Sequence, residues 1–168
     1  MAPPYHFSEA YQEDARLGDG TAVRLRVVRP EDRERLRRGF QRLSSESRYL
    51  RFMGPKPTLS DDELDLLSDL DGVNRFALGA ERLDPEGGAS EGIGIARFVR
   101  REEEPEVAEA AVTVVDAWQG RGLGSLLVRR LAAAARERGV LRFEGEILVR
   151  NEAMRRLLAD QPIGTVVE

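Results

Sequence analysis

The chain has 168 residues, 41% of them hydrophobic and 33% charged, with a net charge of −4. These proportions fit one soluble globular domain with a sizeable core and exclude a disordered chain. There is no cysteine for a disulfide, thiolate metal site or acyl-enzyme, no apolar run near the roughly 20 residues of a membrane span, and too scattered a set of basic residues for nucleic acid to be the main partner.

Residues 1–20 read as a mobile tail and lead-in, and 21–168 as a single domain with a short C-terminus. The opening is neither basic nor followed by an apolar core, so no secretory signal is expected and the cytoplasm is the default. Val23, Leu25 and Val27 alternate with Arg24 and Arg26, predicting a strand with one buried face. Arg29-Pro30-Glu31-Asp32 opens a helix to about Leu43, with proline and acids suiting its first turn. A second helix runs from Ser45 to about Arg51, and a third, capped by Ser60, to about Leu70. Two strands, 75–82 and 92–99, form a hairpin around the loop 84–90. A further strand spans 107–115, a long helix runs from about 123 to Gly139, and Phe143–Val149 alternates as another strand. A short helix from Asn151 to about Ala159 and a last strand at 163–167 complete the order β-α-α-α-β-β-β-α-β-α-β. That order is an α/β (mixed α+β) fold, a mixed sheet with helices on both faces.

The most informative stretch is Gln119-Gly120-Arg121-Gly122-Leu123-Gly124, between the strand at 107–115 and the long helix. Strand, glycine-rich turn and helix present free backbone N–H groups and the positive end of a helix dipole to an anion. A pyrophosphate is therefore expected on residues 120–125, including Arg121, Leu123 and Ser125. A dinucleotide fingerprint would need glycine where Ser125 stands, with Glu144 a weak acidic partner, and a P-loop would need a lysine before Ser125. Asp116-Ala117-Trp118-Gln119-Gly120-Arg121-Gly122-Leu123-Gly124 resembles instead the Gln/Arg-x-x-Gly-x-Gly/Ala signature of the GNAT family, the acetyl-CoA-dependent N-acyltransferases. The element order from about 21 to 160 agrees. Within that family, Arg29–Asp32, Leu43–Phe52 and Leu59–Leu64 look like the bacterial protein lysine acetyltransferases that modify acyl-CoA synthetases.

The resemblance implies acetyl-CoA as cosubstrate, no metal, and a primary amine as acceptor, with a protein lysine expected first. A small-molecule amine, an N-terminus, or a non-catalytic acyl-CoA sensor remain as alternatives. It also implies that the pantetheine arm pairs with the strand ending at Val114-Val115, that an N–H near Val115 polarises the thioester, and that Asn151 contacts the arm. An alkyl amine of pKa near 10.4 is neutral in only about one molecule in 2,500 at pH 7, so a base is useful. Glu109 is the first candidate, sharing a strand face with Ala111 and Thr113 and standing where the resembling enzymes carry their catalytic glutamate. It is expected to be partly buried or to act through a water. Glu146 is the runner-up, and His6, alone in the tail, is a poor base. The tyrosine that many members use as general acid is missing from 152–160, and the short C-terminus leaves a sheet edge that would favour a homodimer. Of 26 basic residues only Lys56 is lysine, so a lysine-modifying enzyme would have almost nothing of its own to modify.

Overall fold

Val23, Leu25 and Val27 are buried and their neighbours partly exposed, the period-two pattern of a strand covered on one face. They lie in β2 (Ala22–Val27) of a computed structural model that describes residues 5–86, 88–145 and 156. The other strands are β1 (Gln12–Arg16), β3 (Arg75–Asp84), β4 (Gly88–Arg100), β5 (Val107–Val114) and β6 (Arg142–Glu144). They form one sheet in chain order, antiparallel throughout except for the parallel pair β5–β6.

Helices cover both faces, as the element order predicts. On one side lies α4 (Leu123–Glu137), whose Leu123, Leu127 and Leu131 are buried against the sheet. A Cβ on Gly94 would stand 3.0 Å from Leu127 Cδ1, so β4 needs glycine where α4 presses closest. On the other side lie α1 (Arg33–Gln41), α2 (Ser45–Phe52) and α3 (Asp61–Ser68). Ser44 caps α2 by accepting from the Ser47 amide at 3.0 Å, and Ser60 with Glu63 makes the reciprocal cap of α3.

Residues 5–20 are not the tail expected. Residues 12–16 form an edge strand, and Phe7, Tyr11 and Leu17 enter the core. The cause is tertiary. Buried Arg138 donates to the carbonyls of Phe7 (2.7 Å), Gly72 (2.6 Å) and Ala134 (3.0 Å), while Glu137 accepts from the amides of His6 and Phe7. Arg130 grips Glu13 through two bonds of 2.8 and 3.0 Å, tying β1 to α4. Smaller corrections concern the first helix, which starts as a 3-10 turn over Pro30–Asp32, and the hairpin, whose strands pair as far as Asp84 and Gly88. Residues 146–149 of the expected strand, the helix at 151–159 apart from the helical Arg156, and the strand at 163–167, with any dimer edge there, lie outside the described residues.

A buried ionic cluster joins the sheet to α1. Arg26 holds Asp32 through bonds of 2.6 and 2.7 Å and Glu81 at 2.8 Å, and Arg35 also donates to Glu81. Burial pushes the Asp32 carboxyl up, but Arg26 and the Arg29 amide outweigh it and hold the carboxyl below its ordinary range. A depressed carboxyl stabilises the fold above its unfolded pKa of about 4, and that contribution is lost as pH falls through the folded value. Arg26→Met takes the guanidinium from buried Asp32 and leaves Glu81 to Arg35 alone, and is expected to cost about 3–5 kcal/mol in urea unfolding. The wild type should lose stability between about pH 5 and pH 3, and the variant should lose less over that range.

Candidate active site

β5 ends in a 3-10 turn, Asp116–Trp118, and the chain reaches α4 through two glycines with positive φ, Gly120 at 76° and Gly122 at 89°. Only glycine adopts that backbone freely, which is why the turn reads as it does. An added Cβ at either would meet nothing within 4 Å, so the space beside them is open to a ligand. Gly122 is the N-cap, and its carbonyl accepts the first helical bond from Leu126 at 3.1 Å. The amides of Leu123, Gly124 and Ser125 therefore have no partner within the helix and face the dipole's positive end. Arg121 lies 4.7 Å over the Trp118 ring, and Arg129, one helical turn beyond Ser125, donates to its hydroxyl at 3.1 Å. The donors, the open space and the nearby cations suit a pyrophosphate. Arg129 was missed in the sequence, although its i+4 spacing from Ser125 is a legible signal.

Gln119 ties the turn to its neighbours through its side chain. Its side-chain amide donates to the Val114 carbonyl (2.9 Å) and the Ser47 hydroxyl (3.2 Å). Asp116 accepts from the Ser44 amide (2.9 Å) and from the hydroxyls of Ser44 (2.7 Å) and Ser47 (2.9 Å). Burial pushes the Asp116 carboxyl up, and these bonds more than offset it, leaving it below its usual range. The start of α2 is thereby fastened to the turn that carries the glycines.

The two N–H groups at the end of the strand point in opposite directions. The Val115 amide already donates to the Ile93 carbonyl at 2.9 Å. Strand alternation turns the Val114 amide the other way, away from β4, on the side where Gln119 occupies the Val114 carbonyl. Val114 is thus the better-directed donor, while the Val115 side chain faces the cavity described next.

Between the sheet and α1–α3 lies a cavity of about 110 Å³, with Ala111, Thr113 and Val115 of β5 on one wall and Phe40, Leu43 and Phe52 opposite. Glu109 shares the strand face of Ala111 and Thr113, one step beyond the cavity. Its side chain is 66% exposed, so the expected partial burial is not found; the nearest cation is Arg101 at 3.8 Å. Glu144 stands opposite it in register on β6, is far less exposed, and is held by Arg101 (2.7 Å) and Arg142 (2.8 Å). Asn151 and Glu146 lie outside the described residues. His6 packs on Phe7 and Tyr11 in the N-terminal segment, and Lys56 is ion-paired with Glu63. Among the described residues no group of His, Asp or Glu is arranged to hold a metal, and no helix is long and apolar enough to cross a membrane.

The model of the acetyltransferase (GNAT) domain matches residues 22–160, and the chain belongs to that family of acetyl-CoA-dependent acetyltransferases. It is 39% identical over 141 residues to an acetyltransferase of Pseudomonas aeruginosa, covering 84% of this chain and 74% of that protein. It is also 39% identical over 135 residues to acetyltransferase Pat of Mycolicibacterium smegmatis, covering 80% of this chain but only 39% of Pat. Among solved structures, the GNAT domain of S. lividans PAT superposes with a TM-score of 0.81 at 35% identity, over 95% of this chain and 89% of that one. A cAMP-binding acyltransferase from Mycobacterium smegmatis gives 0.61 at 31% identity, over 89% of this chain and 42% of that one.

The glycine loop makes a direct test. Valine at Gly122 or at Gly124 should abolish CoA binding by calorimetry while a cooperative melt persists, since the left-handed position at Gly122 costs only about 1–2 kcal/mol when filled. Unchanged affinity in both variants would remove the loop from the site.

Proposed function

We propose that this acetyltransferase moves the acetyl group of acetyl-CoA to the side-chain amine of a protein lysine, by direct attack in a ternary complex. The observation that carries the reading is the alignment along β5. Glu109, the small side chains Ala111 and Thr113, the outward Val114 amide and the glycine loop follow one another on a single strand and its continuation. The stretches Arg29–Asp32, Leu43–Phe52 and Leu59–Leu64, which resemble protein lysine acetyltransferases, favour a protein acceptor.

In this reading residues 120–125 hold the pyrophosphate with backbone amides. The Val114 amide donates to the thioester oxygen and stabilises the negative charge that develops there. Glu109 removes a proton from the acceptor ammonium. Its exposure suits transfer through an intervening water, with the Arg101 guanidinium 3.8 Å away. Neutralising an alkyl ammonium at pH 7 costs about 4.6 kcal/mol, which sets the scale of the help the base provides.

Glu109→Gln keeps size and hydrogen bonding but removes the proton acceptor. CoA affinity should hold while kcat falls by about 10²–10⁴-fold, and raising the pH should restore part of the loss, because more amine is then already neutral. Wild-type turnover in the variant would move the role elsewhere. With labelled acetyl-CoA, label should enter a lysine-bearing protein and not this chain, whose only lysine is Lys56. Efficient turnover of small amines with no labelled protein would favour a small-molecule acceptor. Tight CoA binding with no turnover of any amine would favour a sensor.

A further inference from the structure

Four arginines line the cavity between the sheet and α1–α3, and they are of two kinds. Arg26 and Arg35 are neutralised by Asp32 and Glu81. Arg51, in the last turn of α2, and Arg97, on β4, are not. Among the described residues neither has a carboxylate in ion-pair reach; the Arg51 guanidinium rests 4.8 Å from the Phe52 ring. Much of the wall around them is apolar, with Leu43, Phe52, Ile95 and Val115 among its members. Holding two uncompensated cations of like sign in such a wall is unfavourable for the free protein. The strain registers in both groups. Burial, then repulsion from Arg97, pushes the Arg51 guanidinium down to about 10, and burial, then repulsion from Arg75, pushes Arg97 down.

Their place relative to the chemistry is fixed by the sheet. Arg97 pairs with Ala111, two residues along β5 from Glu109 and on the same face. That spacing is about 7 Å along the strand. A group bound by Arg97 would therefore sit next to the amine that Glu109 deprotonates, at the edge of the cavity. A guanidinium presents a planar fork of donors matched to a carboxylate. With their charges already partly withdrawn from water and without a carboxylate among the described residues, Arg51 and Arg97 gain more from such a partner than surface arginines would.

We propose that Arg51 and Arg97 form a carboxylate-binding subsite beside the reacting centre. Its ligand is borne either by an acidic side chain neighbouring the acceptor lysine or by the far end of a dicarboxylic acyl chain. The inference rests on the acyl-transfer reading above and adds a substrate class to it: acidic acceptor sequences, or acyl groups ending in a carboxylate.

The test uses the full chain and compares kcat/KM in two matched pairs. In the first, acetyl-CoA is given with peptides that differ only in having glutamate or glutamine on both sides of one lysine. In the second, succinyl-CoA and butyryl-CoA are compared on the glutamine peptide. The charged member of one pair should be preferred by about 10–100-fold, the range of a charge-assisted bond, and the preference should shrink in high salt. A preference in the first pair assigns the carboxylate to the acceptor, and in the second to the acyl chain. Arg51→Gln and Arg97→Gln should each collapse the preference ratio, with melting temperatures recorded to separate misfolding from lost recognition. Transfer that proceeds without preference in either pair overturns the subsite and leaves the acyl-transfer reading standing, and so does a wild-type preference that survives both substitutions in folded protein. Bound CoA with no transfer in any combination overturns the reading underneath as well.

Discussion

The end of β5 has one carbonyl too many for its neighbour β4 to satisfy, and Gln119 meets that need from the side. By donating to the Val114 carbonyl, its side chain caps the strand on the face away from β4 while the adjacent Val114 amide stays directed outward. A backbone strand laid there would have to displace Gln119. A donor arm needs the amide more than the carbonyl, so the capped edge is suited to a ligand. The same residue and its neighbour Asp116 are bonded to Ser44 and Ser47, so the start of α2 is set by the turn that carries the glycine loop. The glycine loop and the start of α2 thus share one small polar joint.

Charge placement divides the molecule in a related way. The Arg26–Asp32–Glu81–Arg35 cluster satisfies its members internally and holds α1 to the sheet. A few residues away, the guanidinium groups of Arg51 and Arg97 lack such partners among the described residues. Both sets line the same cavity. Paired charge there serves the fold, and unpaired charge is what a ligand would complete.

Most of the architecture was legible because its signals are local. Alternation at 23–27 and 107–115, the serine cap before α3, and the glycine turn before α4 each depend on a few adjacent residues. The edge strand β1 was not legible, since Gln-Glu-Asp-Ala-Arg has no apolar face of its own and is held by Arg130 and by pairing with β2. The bonding of Asp116 to Ser44 spans 72 positions and has no spacing to betray it. Which amide near Val115 points outward was not legible, because alternation gives each neighbour the opposite direction and only the observed register distinguishes them. Glu109 was placed on the right face, but its exposure depends on Arg101 and Glu144, which belong to other segments.

Amide hydrogen exchange, residue by residue, with and without saturating CoA tests most directly whether the capped end of β5 receives the donor. The Val115 amide, already bonded to Ile93, should be slow in both states. The Val114 amide and those of Leu123, Gly124 and Ser125 should exchange quickly in the free protein and become protected when CoA binds. Protection of Val114 already complete in the free protein, or CoA binding that leaves Val114 and the start of α4 unprotected, would contradict this site.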